Sequence, residues 1–272
     1  MPSSEFTHCN VFESHTDRVD DNPAPKDDPP TNVLILLHGL GDGHDAFATL
    51  GKQMNLPETA CVSVRGPKAL LDLEGAHWGD DIIFDSTTGG LDADSGLKES
   101  TELLRILIKE VLVEKCGYAP REIVLFGFGQ GGMVALSTAR KSLLPNMKSQ
   151  SNYTNHARTV AIQSSASDND SNSSELGGVI SIGAPVPSEA PAALVSKCKT
   201  PVLVCAGSDR SAVTSTAEDK LKRLFEFLEV KRYRKSGDSM PSNRDEMMPI
   251  MQFFSRRLRS MKGVPEGSVE LA

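Results

Sequence analysis

Five short runs, NVLILLHG (32–39), ACVSVRG (60–66), EIVLFGFG (122–129), GGVISIGA (177–184) and TPVLVCAG (200–207), are dense in Val, Ile and Leu and are interrupted by Gly or Pro. Unbroken apolar runs of this length describe strands buried on both faces, as in a parallel sheet. Helical spacing separates them. Between 96 and 115 the positions Leu97, Leu104, Ile108, Val111 and Lys115 form one side, with charges on the other. A second helix is predicted after Gly131, over 133–143, a third over 216–228 and a last over 243–261. The last carries Met247, Met251, Phe254, Leu258 and Met261 as a stripe read as packing. Strands alternating with helices give an α/β fold, a mostly parallel central sheet flanked by helices, with function at the carboxyl ends of the strands.

The polar stretches set the boundaries. Residues 1–30 end in VDDNPAPKDDPP and read as a disordered acidic arm, because prolines and like charges neither pack nor continue regular structure. A segment at about 145–175, including SSASDNDSNSSE, reads as a disordered surface insertion, and 263–272 as a flexible tail. A single domain over 31–262 is left, ample for one core. No stretch of the 272 residues approaches the apolar length of a membrane span, and the opening lacks the basic start and apolar run of a secretory leader. Five cysteines without CxxC spacing fit a reducing, cytoplasmic setting, with Cys61 and Cys205 as core thiols. The chain carries a net −7, yet 220–262 holds twelve basic residues against five acidic ones. KRYRK (231–235) and RRLR (256–259) in that region are candidates for an acidic protein partner, with solvated surface as the plainer account; no nucleic-acid module accompanies them.

The informative chemistry lies in EIVLFGFGQGGMVAL, a strand, a glycine-rich turn and a helix. Gly127 and Gly131 have the spacing of the G-x-S-x-G elbow, in which a sharp bend exposes a nucleophile; at its centre stands Gly129. A second glycine-rich loop, LLHGLGDGHDAF, follows the first apolar run, where a backbone N–H can face a developing oxyanion. With LLHGLGD (36–42), VRGP (64–67), HWGD (77–80), GFGQGGMVAL (127–136) and GSDRSAV (207–213), the chain resembles the phospholipase and carboxylesterase group of α/β-hydrolases that includes acyl-protein thioesterases, over about 31–262.

The resemblance implies an α/β-hydrolase fold, no cofactor and no metal. It places Leu40 and Gln130 where backbone N–H groups form the oxyanion hole, and Asp209 at the triad acid. Gly129 replaces the nucleophilic Ser. Asp238, in Gly237-Asp238-Ser239, replaces the basic His. His38 and His77 are expected beside the cleft, His38 orienting the oxyanion loop, and Trp78 as its wall or as ordinary packing. His77 with Asp80 and Asp81 is too sparse for a metal site. All six histidines precede Asp209, whereas the fold's order needs the base after the acid. The expectation is a protein of hydrolase ancestry that has lost hydrolysis and binds an acyl group or lipid-modified peptide. Two alternatives stand beside it: a carboxylic ester or acyl-thioester hydrolase using unassigned groups, with Ser208 or Ser239 as candidates, and an interaction module using the basic region. The family also permits a homodimer.

Overall fold

The computed structural model describes residues 19–22, 30–70, 75–84, 89–141 and 175–260. The expected insertion at about 145–175, apart from Glu175, and the tail at 263–272 lie outside these residues, as does most of the acidic arm. All five apolar runs are strands: β2 (Asn32–Leu37), β3 (Thr59–Val64), β6 (Ile123–Phe128), β7 (Gly178–Ile182) and β8 (Val202–Asp209). The short β4 (Lys68–Ala69) and β5 (Ala76–His77) pair separately as a hairpin.

Two further strands flank the large sheet, in the order β1-β3-β2-β6-β7-β8-β9. β9 (Leu228–Ser236) runs parallel to β8 at one edge. β1 (Val19–Asn22) runs antiparallel to β3 at the other. Both correct the sequence reading. Residues 19–22 belong to no disordered arm here, because β3 offers an unpaired backbone edge that any extended segment can satisfy. The helix expected over 216–228 stops at Leu224, and Leu228 opens β9 instead.

Alternate side chains of each central strand enter opposite cores. Val33, Ile35, Leu37, Leu125 and Val204 meet α2 (Lys98–Ile106), α3 (Gln130–Arg140) and α4 (Ser215–Leu224) through Leu104, Leu136 and Leu221. Leu34, Leu36, Phe126, Ile180 and Leu203 meet α1 (His44–Met54) through Phe47, and α5 (Arg244–Arg257) through Ile250, Phe253 and Phe254. The expected α5 stripe holds at Met247, Phe254 and Leu258, which pack on the sheet, but Met251 is exposed and Ile250 and Phe253 join the core instead. Beyond α2 the helix widens into π-type hydrogen bonding over Leu107–Lys115. The wider turn puts Leu112 rather than Val111 in the core.

The chain leaves β2 toward β3 and returns to β6 on the other side of β2. That reversal opens a crevice at the carboxyl ends of β2 and β6, where this architecture places its ligands.

Candidate functional site

The crevice is bounded by the turn after β6. Gly129, at the junction with α3, has φ 50° and ψ −121°, a backbone conformation costly for any residue with a Cβ. Its N–H donates to Ile182 O at 2.9 Å, fixing the turn against the end of β7. A Cβ at Gly129 would point into open space, its nearest neighbour the Gly39 Cα at 3.9 Å. Gly131 is constrained differently: a Cβ there would lie 2.4 Å from His38 O, so close approach of β2 and α3 requires glycine. The turn is thus a sharp strand-to-helix bend with open space on the Cβ side of Gly129.

Leu40 follows Gly39 beside this opening. Neither the Leu40 N–H nor the Gln130 N–H has a hydrogen-bond partner among the described residues. The Gln130 side chain is buried and holds two loops at once: Oε1 accepts from Trp78 N at 2.8 Å, and Nε2 donates to Ala93 O at 2.9 Å. This second use of Gln130 has no local signal, since its partners lie 52 and 37 residues away.

His38 and Trp78 do not line the cleft. Both are fully buried, with ring centroids 5.1 Å apart, and Trp78 Nε1 donates to His38 O at 2.9 Å. His38 Nε2 accepts from Gly66 N at 2.8 Å, which leaves Nδ1 to carry the proton and donate to Gly39 O at 2.7 Å. The ring therefore anchors the loop before Leu40 in its neutral form. Of the three expected cleft residues, His77 borders a space of about 10 Å³ shared with Leu40, Leu70, Ile83 and Leu91. That is room for roughly one water.

Burial lowers the His38 pKa, outweighing the opposing bond to Gly39 O, and burial followed by the charge of Lys68 lowers that of His77. In the unfolded chain both titrate near about 6.5. Below that pH the unfolded state takes up protons that the folded state resists, so stability is expected to fall as pH drops from about 7 to 5. Urea midpoints across that range check the sign, and His38→Gln should flatten the dependence.

Asp209 ends β8 with its side chain exposed, and its carbonyl accepts from Gly237 N at 2.8 Å. Asp238 follows and is turned inward. Its Oδ1 accepts from Gly207 N at 3.0 Å and Ser211 Oγ at 2.8 Å, and its Oδ2 from Ala212 N at 2.8 Å. A Cβ on Gly183 would come within 2.4 Å of the Asp238 Cβ, so this carboxylate packs against the residue after β7. Asp238 and Gly129 consequently flank the same strand end, one touching Gly183 and the other bonded to Ile182. A carboxylate accepting three hydrogen bonds is a tie between loops. Asp238→Ala is expected to cost about 1 to 3 kcal/mol, because the Gly207 and Ala212 N–H groups lose their acceptor. Faster hydrogen exchange at those two amides would identify the cause.

Other candidates have structural partners. Ser208 Oγ donates to Lys235 O at 3.1 Å. Asp80 caps α2, Oδ2 accepting from Lys98 N at 2.9 Å and Oδ1 from Glu99 N at 3.0 Å. No group of side chains suited to holding a metal occurs among the described residues. Cys61 and Cys205 are buried thiols, pushed up to about 11 by desolvation.

Comparison with known proteins bears on the fold and on part of the sequence. Residues 23–149 match the profile of the phospholipase/carboxylesterase family. Over that stretch, just under half of the chain, it is similar to that family. Among curated relatives, an uncharacterized hydrolase of Schizosaccharomyces pombe is 42% identical over 115 residues, 40% of this chain and 46% of that protein. An acyl-protein thioesterase 1 of Kluyveromyces lactis is 26% identical over 123 residues, 42% of this chain and 53% of that protein. The chain thus spans about half the length of the curated relatives it matches. The fold extends further. Esterase PE8 superposes with a TM-score of 0.64 at 21% identity, over 89% of this chain and 99% of the esterase. Acyl-protein thioesterase 2 of Zea mays gives 0.57 at 16% identity, over 89% and 99%. These likenesses place the fold among α/β-hydrolases. No helix among the described residues is long and apolar enough to cross a membrane.

Proposed function

We propose that this chain is a non-hydrolysing member of the family that binds the carbonyl or carboxylate end of an acyl ligand, free or attached to a peptide. The observation that carries the reading is Gly129: the strained elbow backbone is present, and the position has no atom with which to attack. The occupied carboxylate of Asp238 supports it, since the family's base position ties the 207–212 loop instead. In this reading the Leu40 and Gln130 N–H groups serve as donors to the ligand oxygen, and Asp209 keeps the triad-acid position without a base to orient. The acyl carbonyl takes the open space above Gly129. Its chain runs outward over the exposed Ile83 and Phe84, because the space beside Leu40 holds no more than water.

Titration calorimetry with decanoate tests the binding, with affinity expected in the range of about 0.1 to 1 mM. Incubation with p-nitrophenyl esters and palmitoyl thioesters tests the chemistry, and the rate is expected to equal that of buffer. A covalent acyl-protein adduct, or turnover that purifies with the protein, would overturn the proposal.

A further inference from the structure

At the opposite end of the sheet the amino ends of β6 to β9 surround a cleft of about 760 Å³. Its walls come from segments far apart in sequence: Arg121 before β6, Lys199 before β8, and Arg256, Arg257 and Arg259 at the end of α5. Leu176, Pro201, Phe227 and Leu228 supply apolar surface, and Phe227 is 54% exposed. The strands between this cleft and Gly129 are five to eight residues long, which separates the two sites by about 15 to 25 Å.

We infer that this cleft binds a small molecule combining a phosphate monoester with a flat apolar body. Three glutamates also line it, Glu175, Glu226 and Glu229, so the lining carries a net +2. That complements a phosphate monoester, which bears about −1.5 to −2 at neutral pH. The charges are unevenly satisfied. Arg256 Nη2 pairs with Glu229 Oε1 at 2.7 Å, and Arg259 Nη1 lies 3.4 Å from Glu122 Oε1. Lys199, by contrast, has no hydrogen-bond or ion-pair partner among the described residues. Arg257 Nε is buried with no partner there either, a costly state for a guanidinium. A phosphate provides the missing acceptors in the forked geometry guanidinium favours, and the face of Phe227 offers a stacking surface for a planar group. The volume lies within the range of sites that enclose small ligands. RRLR (256–259) thereby gains a specific place, with the side chains of α5's last turn delivered to a concave surface.

Calorimetry on the full chain, with AMP as probe and inorganic phosphate and adenosine as comparison ligands, decides the question. AMP is expected to bind with a Kd below about 1 mM, and each comparison ligand at least tenfold more weakly. Lys199→Gln and Arg257→Gln are each expected to weaken AMP about tenfold, while Phe227→Ala weakens AMP and leaves inorganic phosphate unchanged. Lys199 is exposed, so its variant retains the fold and keeps the test decisive should Arg257→Gln unfold. Absence of AMP binding at about 10 mM, affinity unchanged in Lys199→Gln, or adenosine or phosphate binding as tightly as AMP would overturn the inference.

Discussion

Replacing Trp78 by Ala is expected to lower stability by about 4 kcal/mol, the largest loss from any single side-chain truncation around the site. The indole is fully buried, so its removal leaves a large cavity, and it also removes the donor to His38 O. An unpaired buried carbonyl adds to the cavity cost. Trp78→Phe separates the two contributions: it refills most of the space and leaves the carbonyl unpaired, for an expected loss of about 1 to 2 kcal/mol. Urea denaturation of both variants measures the difference. The damage should spread to the elbow, because the backbone of Trp78 is bonded to the Gln130 side chain and its ring rests on His38. Trp78 links the two loops that border the crevice.

The second large effect is a gain of function. Gly129→Ser alone is expected to fold, with a cost of about 1 to 3 kcal/mol for the unfavourable backbone angles, and to hydrolyse esters no faster than the parent. Nucleophile and base act as a unit, so restoring one member returns almost nothing. On the proposed reading, Gly129→Ser combined with Asp238→His supplies both residue types on the two sides of the β7 end, with Asp209 one strand terminus away. Hydrolysis of p-nitrophenyl acetate by this pair is expected to exceed either single variant by at least about 100-fold. A fluorophosphonate probe should label position 129 in the pair alone. Equal rates in all three variants would show that the loop held by Asp238 does not tolerate an imidazole, since Gly207, Ser211 and Ala212 lose their common acceptor at the same time.

How much of this was legible beforehand follows from burial. The five central strands are apolar on both faces, so their sequences announce them without reference to the remainder of the chain. β9 is an edge strand whose Lys231, Arg232 and Arg234 are exposed, and such charge hides strand character. The α5 stripe is legible at Met247, Phe254 and Leu258, whereas only contact with the sheet selects Ile250 and Phe253 over Met251. At the site, the glycine at position 129 is written in the sequence, as is the absence of any histidine after His156. The work done by Asp238 is not. Its three donors lie 26 to 31 residues away and meet it only once β8 and β9 pair. Trp78 is equally non-local, with partners at residues 38 and 130.

β1 has a consequence for handling this protein. Its four residues cover the outer backbone of Cys61–Val64, which would otherwise present a row of unpaired amides and carbonyls to other molecules. A version trimmed to begin at residue 30 would expose that row and invite sheet-to-sheet growth between copies, although every residue of the crevice would still be in place. A stretch with the composition of a dispensable leader therefore acts as a guard against self-association.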